Sequence, residues 1–499
     1  MSKQYIDIPF YTTFNDINSK NFSLSATQYK SFCIKNKNIV TVRDFLSRDL
    51  ERSDLGSEVG SEAYVEESNY FFIKTKALQS ETYLLDIGKD AIQNITPMSY
   101  INSNLKEGDL LISKDSNVGE IAILDKDYPN TMLCSGIYKL PVIDKKYYLL
   151  AFIKNDIFRQ QIDFLVPRGS TIRHGKTKFL ECLIPMPNRN SSNTIKYVEL
   201  LMKAIVNKEI EIRKKHKKIL IAIQEELENN QTEKEFQYSL PSIKEIETLD
   251  RMDSSLYSKE FKEKEFLITN YKYGYATIHE LGFIPSRGQN LQVSNIGKSI
   301  QCSEYRDDYY TLILPNFLSK YGTVSTKEYL GNPNELKTLN KGEIIFGAEG
   351  NEKGRSLVII EEQERTITNI HGITLTQEQH DIEKGVFVKL FLDYYRSKGM
   401  IDDYAVGGNG GSLAIKYWNY LKFPHFPNSV EKNIVTLYHN SQSIYNMSKC
   451  NLDNFLKYDV QFNSVAGIYE LDKSMKYLQS KLEQAIACIA DDKDVDISF

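Results

Sequence analysis

One ordered set of signals occurs twice along this 499-residue chain, and a chain built that way is constrained to fold as two similar units. The first copy opens with FSLSATQYKSFCIKNKNIVTVRDFL (Phe22 to Leu46) and the second with RMDSSLYSKEFKEKEFLITNYKYGYATIHEL (Arg251 to Leu281). Each continues into a Gly-plus-acid turn and two apolar runs parted by a second turn: EGDLLISKDSNVGEIAIL (Glu107 to Leu124) and KGEIIFGAEGNEKGRSLVII (Lys341 to Ile360). β-Formers bounded by Gly, Asp and Asn predict a hairpin or bulged strand pair. A short strand with a small polar centre is expected next, MLCSGIYKL (Met132 to Leu140) and ITNIHGITL (Ile367 to Leu375). An amphipathic helix follows in each, over Leu149 to Leu165 and Val386 to Ala405. Both copies close on a polar or Gly-rich loop, an apolar stretch and a proline stop: RGSTIRHGKTKFLECLIPMP (Arg168 to Pro187) and GGNGGSLAIKYWNYLKFPHFP (Gly407 to Pro427). Signals kept in this order imply a duplication with pseudo-twofold character.

Between and after the copies the period becomes helical. Val198, Met202, Ile205, Glu209, Ile212, His216, Ile219 and Ile223 alternate spacings of four and three, which is a heptad seam on a helix of roughly 35 residues, or about 50 Å. Ile468, Leu471, Met475, Leu478, Leu482, Ala485 and Ile489 repeat the spacing near the C-terminus, and a shorter pattern, Val430, Ile434, Leu437, Ile444 and Met447, precedes them. Seams of this kind call for partners. The expected architecture is α/β (α+β): two similar mixed α/β domains, 1–190 and 233–427, separated by a central helix over 191–232 that pairs in an antiparallel coiled coil with distal helices over 428–499.

No apolar run of signal-peptide or membrane-spanning length occurs, so a cytoplasmic protein with no membrane partner is expected. The six cysteines (Cys33, Cys134, Cys182, Cys302, Cys450 and Cys488) form no C-x-x-C and suit reduced thiols. A net charge of −4 argues against a uniformly basic nucleic-acid surface, so any DNA contact has to come from local patches drawn from the 62 lysines and arginines.

Catalytic motifs are missing. Adenine methylation would need a glycine-rich cofactor loop and an Asn/Asp-Pro-Pro-aromatic grip on the flipped base, and neither is present. There is no phosphate-binding G-x-x-x-x-G-K-[ST], and the seven histidines show no metal-ligand spacing. VGGNGGSLAIK (Val406 to Lys416) follows a helix rather than a strand, so it reads as a loop tracking phosphates or as a plain surface connection.

Reading DNA takes side chains that bond base edges and others that grip phosphates. The copies place such residues on corresponding loops: Lys114, Asp115, Ser116, Asn117, Ser135, Arg168, Ser170, Thr171, Arg173, His174 and Lys176 in the first, and Glu349, Asn351, Lys353, Arg355, Asn369, His371, Asn409, Ser412 and Lys416 in the second. The basic run RKKHKK (Arg213 to Lys218) reads as a solvated face or as a surface for phosphates or an acidic partner, and Tyr417 and Trp418 as core.

Over nearly the whole chain this pattern resembles the specificity subunits of type I restriction-modification systems. GDLLISKDSNVGEIAIL, CSGI (Cys134 to Ile137) and GSTIRHGKTKFLECLIPMP carry the resemblance, with KGEIIFGAEG, NIHG and YLKFPHFP as the second set. The resemblance implies two target recognition domains, each reading half of a bipartite site in double-stranded DNA. It implies helices that act as a ruler, with Val198, Met202, Ile205, Ile212, Ile219, Ile223, Leu471, Met475, Leu478 and Leu482 on the partner-binding helices. Two copies of a methyltransferase subunit would dock there and bring S-adenosylmethionine for adenine-N6 methylation; a translocating restriction subunit belongs to the same implied assembly. The chain itself would bind no cofactor or metal and catalyse nothing. SKCNLDNFLKYDVQFNSV (Ser448 to Val465) departs from the family pattern by interrupting the distal helix. A phage-defence adaptor or scaffold with the same fold, binding DNA or partners without directing methylation, stands as the alternative.

Overall fold

A computed structural model describes the chain apart from residues 1–3, 89, 167–173, 234, 351, 362–364 and 408–410. It divides into two compact units. The first comprises Ser2–Ile210, Tyr445–Ser464 and Lys473–Phe499; the second comprises Glu211–Ile444 and Val465–Asp472.

In the first unit, β1 (Ile39–Thr41), β2 (Phe71–Ile73), β3 (Ile92–Asn94), β4 (Leu110–Ser113), β5 (Ile121–Ile123), β6 (Thr131–Leu133) and β7 (Ile137–Leu140) precede helices α1 (Lys146–Ile153) and α2 (Asp156–Leu165) and strand β8 (Leu183–Pro185). They make two three-stranded sheets, β3-β2-β6 and β5-β4-β7, and the pair β8-β1. Ile73, Leu111, Ala122, Leu133 and Ile137, from both three-stranded sheets, share one core cluster. Leu110, Ile112, Ile121 and Ile123 alternate with the inward residues and are buried as well. Burial on both faces explains the unbroken apolar runs LLI and IAI.

Helix α3 (Ser191–Asn229) runs for 39 residues without proline or glycine. The second unit then repeats the order with α4 (Lys259–Thr269), β9 (Tyr275–Thr277), β10 (Phe283–Arg287), β11 (Ile300–Cys302), β12 (Tyr310–Leu312), β13 (Glu328–Gly331), β14 (Ile344–Gly347), β15 (Ser356–Val358), β16 (Thr366–Ile367), β17 (Gly372–Gln377), α5 (Ile382–Ser397), α6 (Met400–Tyr404) and β18 (Lys422–Pro424). Its sheets are β11-β13-β12-β16 and β10-β17-β14-β15, with the pair β9-β18. Helices α7 (Asn428–Tyr438), α8 (Phe455–Val465) and α9 (Ile468–Ala490) complete the chain.

The duplication holds to the level of single hydrogen bonds. Ser113 pairs with Ile137 as Gly347 pairs with Gly372. The parallel pair β2-β6 recurs as β12-β16. The amides of Gly56 and Ser57 donate to Ile137 and Leu133, and those of Gly288 and Gln289 donate to Gly372 and Thr368. By this register Leu55, Gly56, Cys134, Gly136 and Asp115 correspond to Arg287, Gly288, Asn369, His371 and Glu349. Gly56 and Gly288 are glycine for one reason: a Cβ would lie 2.1 Å from the carbonyl oxygen of Cys134 or of Asn369.

Three sequence expectations need correction. MLCSGIYKL and ITNIHGITL are each two strands, because the small polar centre is where the chain leaves one sheet for the other. Each amphipathic helix is also two. Asn155 caps α2 with its side chain, and Gly399 turns the chain at φ 75° between α5 and α6. The distal pattern ends at Tyr438, and Ile444 is 82% exposed. Glu470 causes that stop by taking the His439 imidazole at 2.6 Å and the Asn440 amide at 2.9 Å.

The seam residues Val198, Met202, Ile205, Ile212, Ile219, Ile223, Leu471, Leu478 and Leu482 are buried within the chain, and Met475 is half-buried. Their side chains are therefore not a free docking surface. The interruption over 448–465 holds α8. In the first unit, fully buried Lys208 of α3 reaches Asp459 at 2.8 Å and Asn463 at 2.7 Å on α8. Burial pushes the Lys208 ammonium below its usual range while Asp459 pulls the other way. Lys208→Met should destabilise the first unit by about 3–5 kcal/mol, since it strands a buried carboxylate, and the double change Lys208→Met, Asp459→Leu should recover part of that loss. Chemical denaturation of the three proteins checks the ordering.

Candidate nucleic-acid interface

At the end of the β4-β5 hairpin the first unit gathers a polar cluster around Asp115. Its carboxylate takes the Lys114 ammonium at 2.5 Å, and the Nδ1 atom of His174 lies 2.8 Å from its other oxygen. Main-chain bonds hold the frame: Lys114 donates to Gly136, and Gly175 donates to Lys114. His174 and Lys176 are exposed, whereas Lys114 is mostly covered. Beside them Ser135 donates to Glu58 at 3.0 Å. Burial pushes the Cys134 thiol in the same turn up, so it is no thiolate nucleophile.

Ser116 and Asn117 turn elsewhere. Asn117 donates to the Leu78 carbonyl, and with Ser116, Gln79, Arg159 and Asp163 it lines a separate cleft of about 230 Å³. Arg168, Ser170, Thr171 and Arg173 lie outside the described residues, as do Asn351 and Asn409 of the second copy.

In the second unit the carboxylate of Glu349 occupies the place of Asp115. Nδ1 of His371 stands 2.6 Å from one oxygen, and Arg287 donates to the other at 3.1 Å. Arg287 also donates to Ser412 and to the Ile370 carbonyl, each at 3.3 Å. Burial works against ionisation of Glu349, but the hydrogen bond and charge of His371 together with Arg287 outweigh it and hold the carboxyl below its usual range. Glu349, Asn369, His371 and Ser412 line a cleft of about 580 Å³ with Pro315 and Asn316. The imidazoles of His174 and His371 are 66% and 60% exposed, so both clusters present a donor-rich edge to solvent.

Lys353, Arg355 and Lys416 stand apart from this cluster. Lys353 is 8% exposed and pairs with Asp402; Arg355 bonds the Leu318 carbonyl and Glu352; Lys416 pairs with Asp250 at 3.1 Å. Trp418 is fully buried edge-on to Phe346. Sequence reasoning missed Arg287. Its one signal is the glycine after it, which aligns Arg287-Gly288 with Leu55-Gly56 once the copies are compared.

Among the described residues, no group of three or more His, Cys, Asp or Glu could hold a metal ion, and no helix is long and apolar enough to cross a membrane. The described residues of the two clusters offer hydrogen-bond donors and acceptors.

No protein-family model and no curated protein matches the chain. Among solved structures it is similar to the S subunit of a type I restriction-modification system from M. genitalium, with 13% identity, 90% of this chain and 95% of that one covered, and a TM-score of 0.37. It is similar also to a chain from a study of assembly and conformational transition in the type I R-M system (11% identity, 91% and 99% covered, TM-score 0.27). A third is the HsdS subunit from Thermoanaerobacter tengcongensis (11% identity, 89% and 95% covered, TM-score 0.25).

Glu349 gives the site a pH signature. Its folded carboxyl titrates below the ~4.3 of an unfolded glutamate, so its stabilising contribution is complete above that value and is lost as pH falls through the folded one. Thermal melting of the wild type and Glu349→Gln should show a wild-type advantage at neutral pH that closes on acidification below the usual glutamate range. A gap that stays constant with pH would contradict the assigned pairing.

Proposed function

We propose that this chain is a non-catalytic DNA sequence-specificity subunit of the type I restriction-modification kind. Each unit contacts one half of a bipartite target in double-stranded DNA. Helices α3 and α9 pair as an antiparallel coiled coil that sets the spacer. Two copies of a methyltransferase subunit bring S-adenosylmethionine and perform adenine-N6 methylation in the cytoplasm, with room for a translocating restriction subunit.

The observation that carries this reading is the matched pair of polar clusters. The same main-chain register, repeated in two units, ends in the same place on a polar cluster with an exposed imidazole, with different neighbours in each copy. Two similar frames carrying different donors suit the reading of two different half-sites. A duplicated chain also offers quasi-equivalent surfaces to two identical partners. Since the seam of α3 is buried, docking falls to its exposed side, which carries Lys203, Lys214, Lys217, Lys218 and Ile221. The missing methyltransferase motifs support placing the chemistry in another chain.

Methylation sequencing of a host genome tests this, with the chain co-expressed with its cognate methyltransferase subunit. The expected result is a split adenine motif that depends on this chain. The double change Lys114→Ala, His174→Ala should relax one half of that motif and leave the other intact. Methylation that is absent, or that does not depend on the chain, would overturn the specificity reading and favour an adaptor that binds without directing methylation.

A further inference from the structure

We infer that Arg287 reads a guanine in the half-site of the second unit, with Glu349 as its positioning residue. This rests on the DNA-specificity reading above. A guanidinium carries five N–H donors in a fixed plane. Nη1 gives its two to Glu349 and the Ile370 carbonyl, and Nη2 gives one to Ser412. The two that remain are the Nε–H and the second Nη2–H, on neighbouring nitrogens along one edge, and neither has a partner among the described residues. Such an edge matches the O6 and N7 acceptors that guanine shows in the major groove.

The geometry also supplies access and rigidity. The Arg287 side chain is 37% exposed, and its partners Glu349 and Ser412 line the open cleft of the second unit. Its backbone is the last residue of β10, in register with Ile373 of β17. Gly288, next to it, lets the chain pass against the Asn369 carbonyl. An arginine fixed at its base and along one edge, and open along the other, loses little entropy on docking.

Among the described residues, the first unit shows no such fork at the matching position. Leu55 stands in the matching position, bridged to Tyr138 as Arg287 is paired with Ile373. Its cluster offers Lys114 and His174, which donate singly. The inference of a bidentate guanine contact is therefore made for the second half-site.

The test uses the full chain with its cognate methyltransferase subunit and the host genome as probe, comparing the wild type with Arg287→Ala, Arg287→Lys and Glu349→Gln. The half-site of the second unit is the one that Lys114→Ala, His174→Ala leaves intact. In Arg287→Ala and Arg287→Lys, one guanine of that half-site should lose its preference by roughly ten- to hundredfold, the other half-site keeping its sequence. Glu349→Gln should relax the same position and no other. The retained half-site reports that each variant folds and assembles.

An unchanged motif in both Arg287 variants overturns the inference. So does a uniform fall in methylation that lysine restores, which marks a phosphate grip, and so does loss of all methylation in both, which marks a structural role. A wild type without a chain-dependent motif instead overturns the underlying specificity reading.

Discussion

The turn by which the chain leaves one sheet and enters the other governs the candidate interface in each unit. At Cys134–Gly136 and at Asn369–His371 the backbone is bonded on both sides: by the residues after Gly56 or Gly288, and by the end of the β4-β5 or β14-β15 hairpin. Asp115 and Glu349 are held by the scaffold, because each lies one residue beyond a main-chain bond that fixes Lys114 or Ala348 to that turn. Their carboxylates then orient the cations around them. Charge-assisted bonds near 2.6–2.8 Å are the stronger kind, and here they act on side chains whose other edges remain exposed.

Much of the frame was legible in the sequence, for a physical reason. Hairpins 107–124 and 341–360 combine apolar runs with Gly-bearing turns, and both copies had to keep that pattern to bury two-faced sheets. The sheet switch was not legible, since MLC and IYKL have the same apolar character and only the partner strands distinguish them. The break between α1 and α2 was hidden because the apolar face continues across it. The end of α7 depends on Glu470, which lies 31 residues from His439 and has no local signature. At the site, the hairpin acids and both exposed histidines could be found from composition and recurrence. Arg287 could not, because its meaning comes from a carboxylate 62 residues away.

Buried charge gives the helices what a heptad seam lacks. A row of Val, Ile, Leu and Met tolerates a slide of one turn at modest cost. Lys208, lying over the rings of Tyr445 and Phe462 and bonded to Asp459, does not, because a slide would leave its ammonium in apolar surroundings with the carboxylate unmatched. The second unit has its own version. Fully buried Lys389 pairs with Asp393 at 2.6 Å, and Asp393 also meets His216 of α3 at 3.2 Å. Each unit thereby holds its share of α3 in one register. Segment 448–465, which breaks the expected helix, supplies Asp459 and Asn463 to the first of these pairs.

The two clusters differ in a way that point substitution on a common frame explains. The bridge from the hairpin acid delivers His174 in the first unit and Ser412 in the second, while the turn delivers Gly136 in the first and His371 in the second. An imidazole beside a carboxylate is thus reached from two different backbone segments, with the frame unchanged. Leu55 and Arg287 differ likewise at the end of one strand pairing. A frame that separates main-chain register from side-chain choice this cleanly can change what it contacts one residue at a time. Under the specificity reading, unlike half-sites then require only different side chains on two copies of one scaffold, and the core residues are under no pressure to change with them.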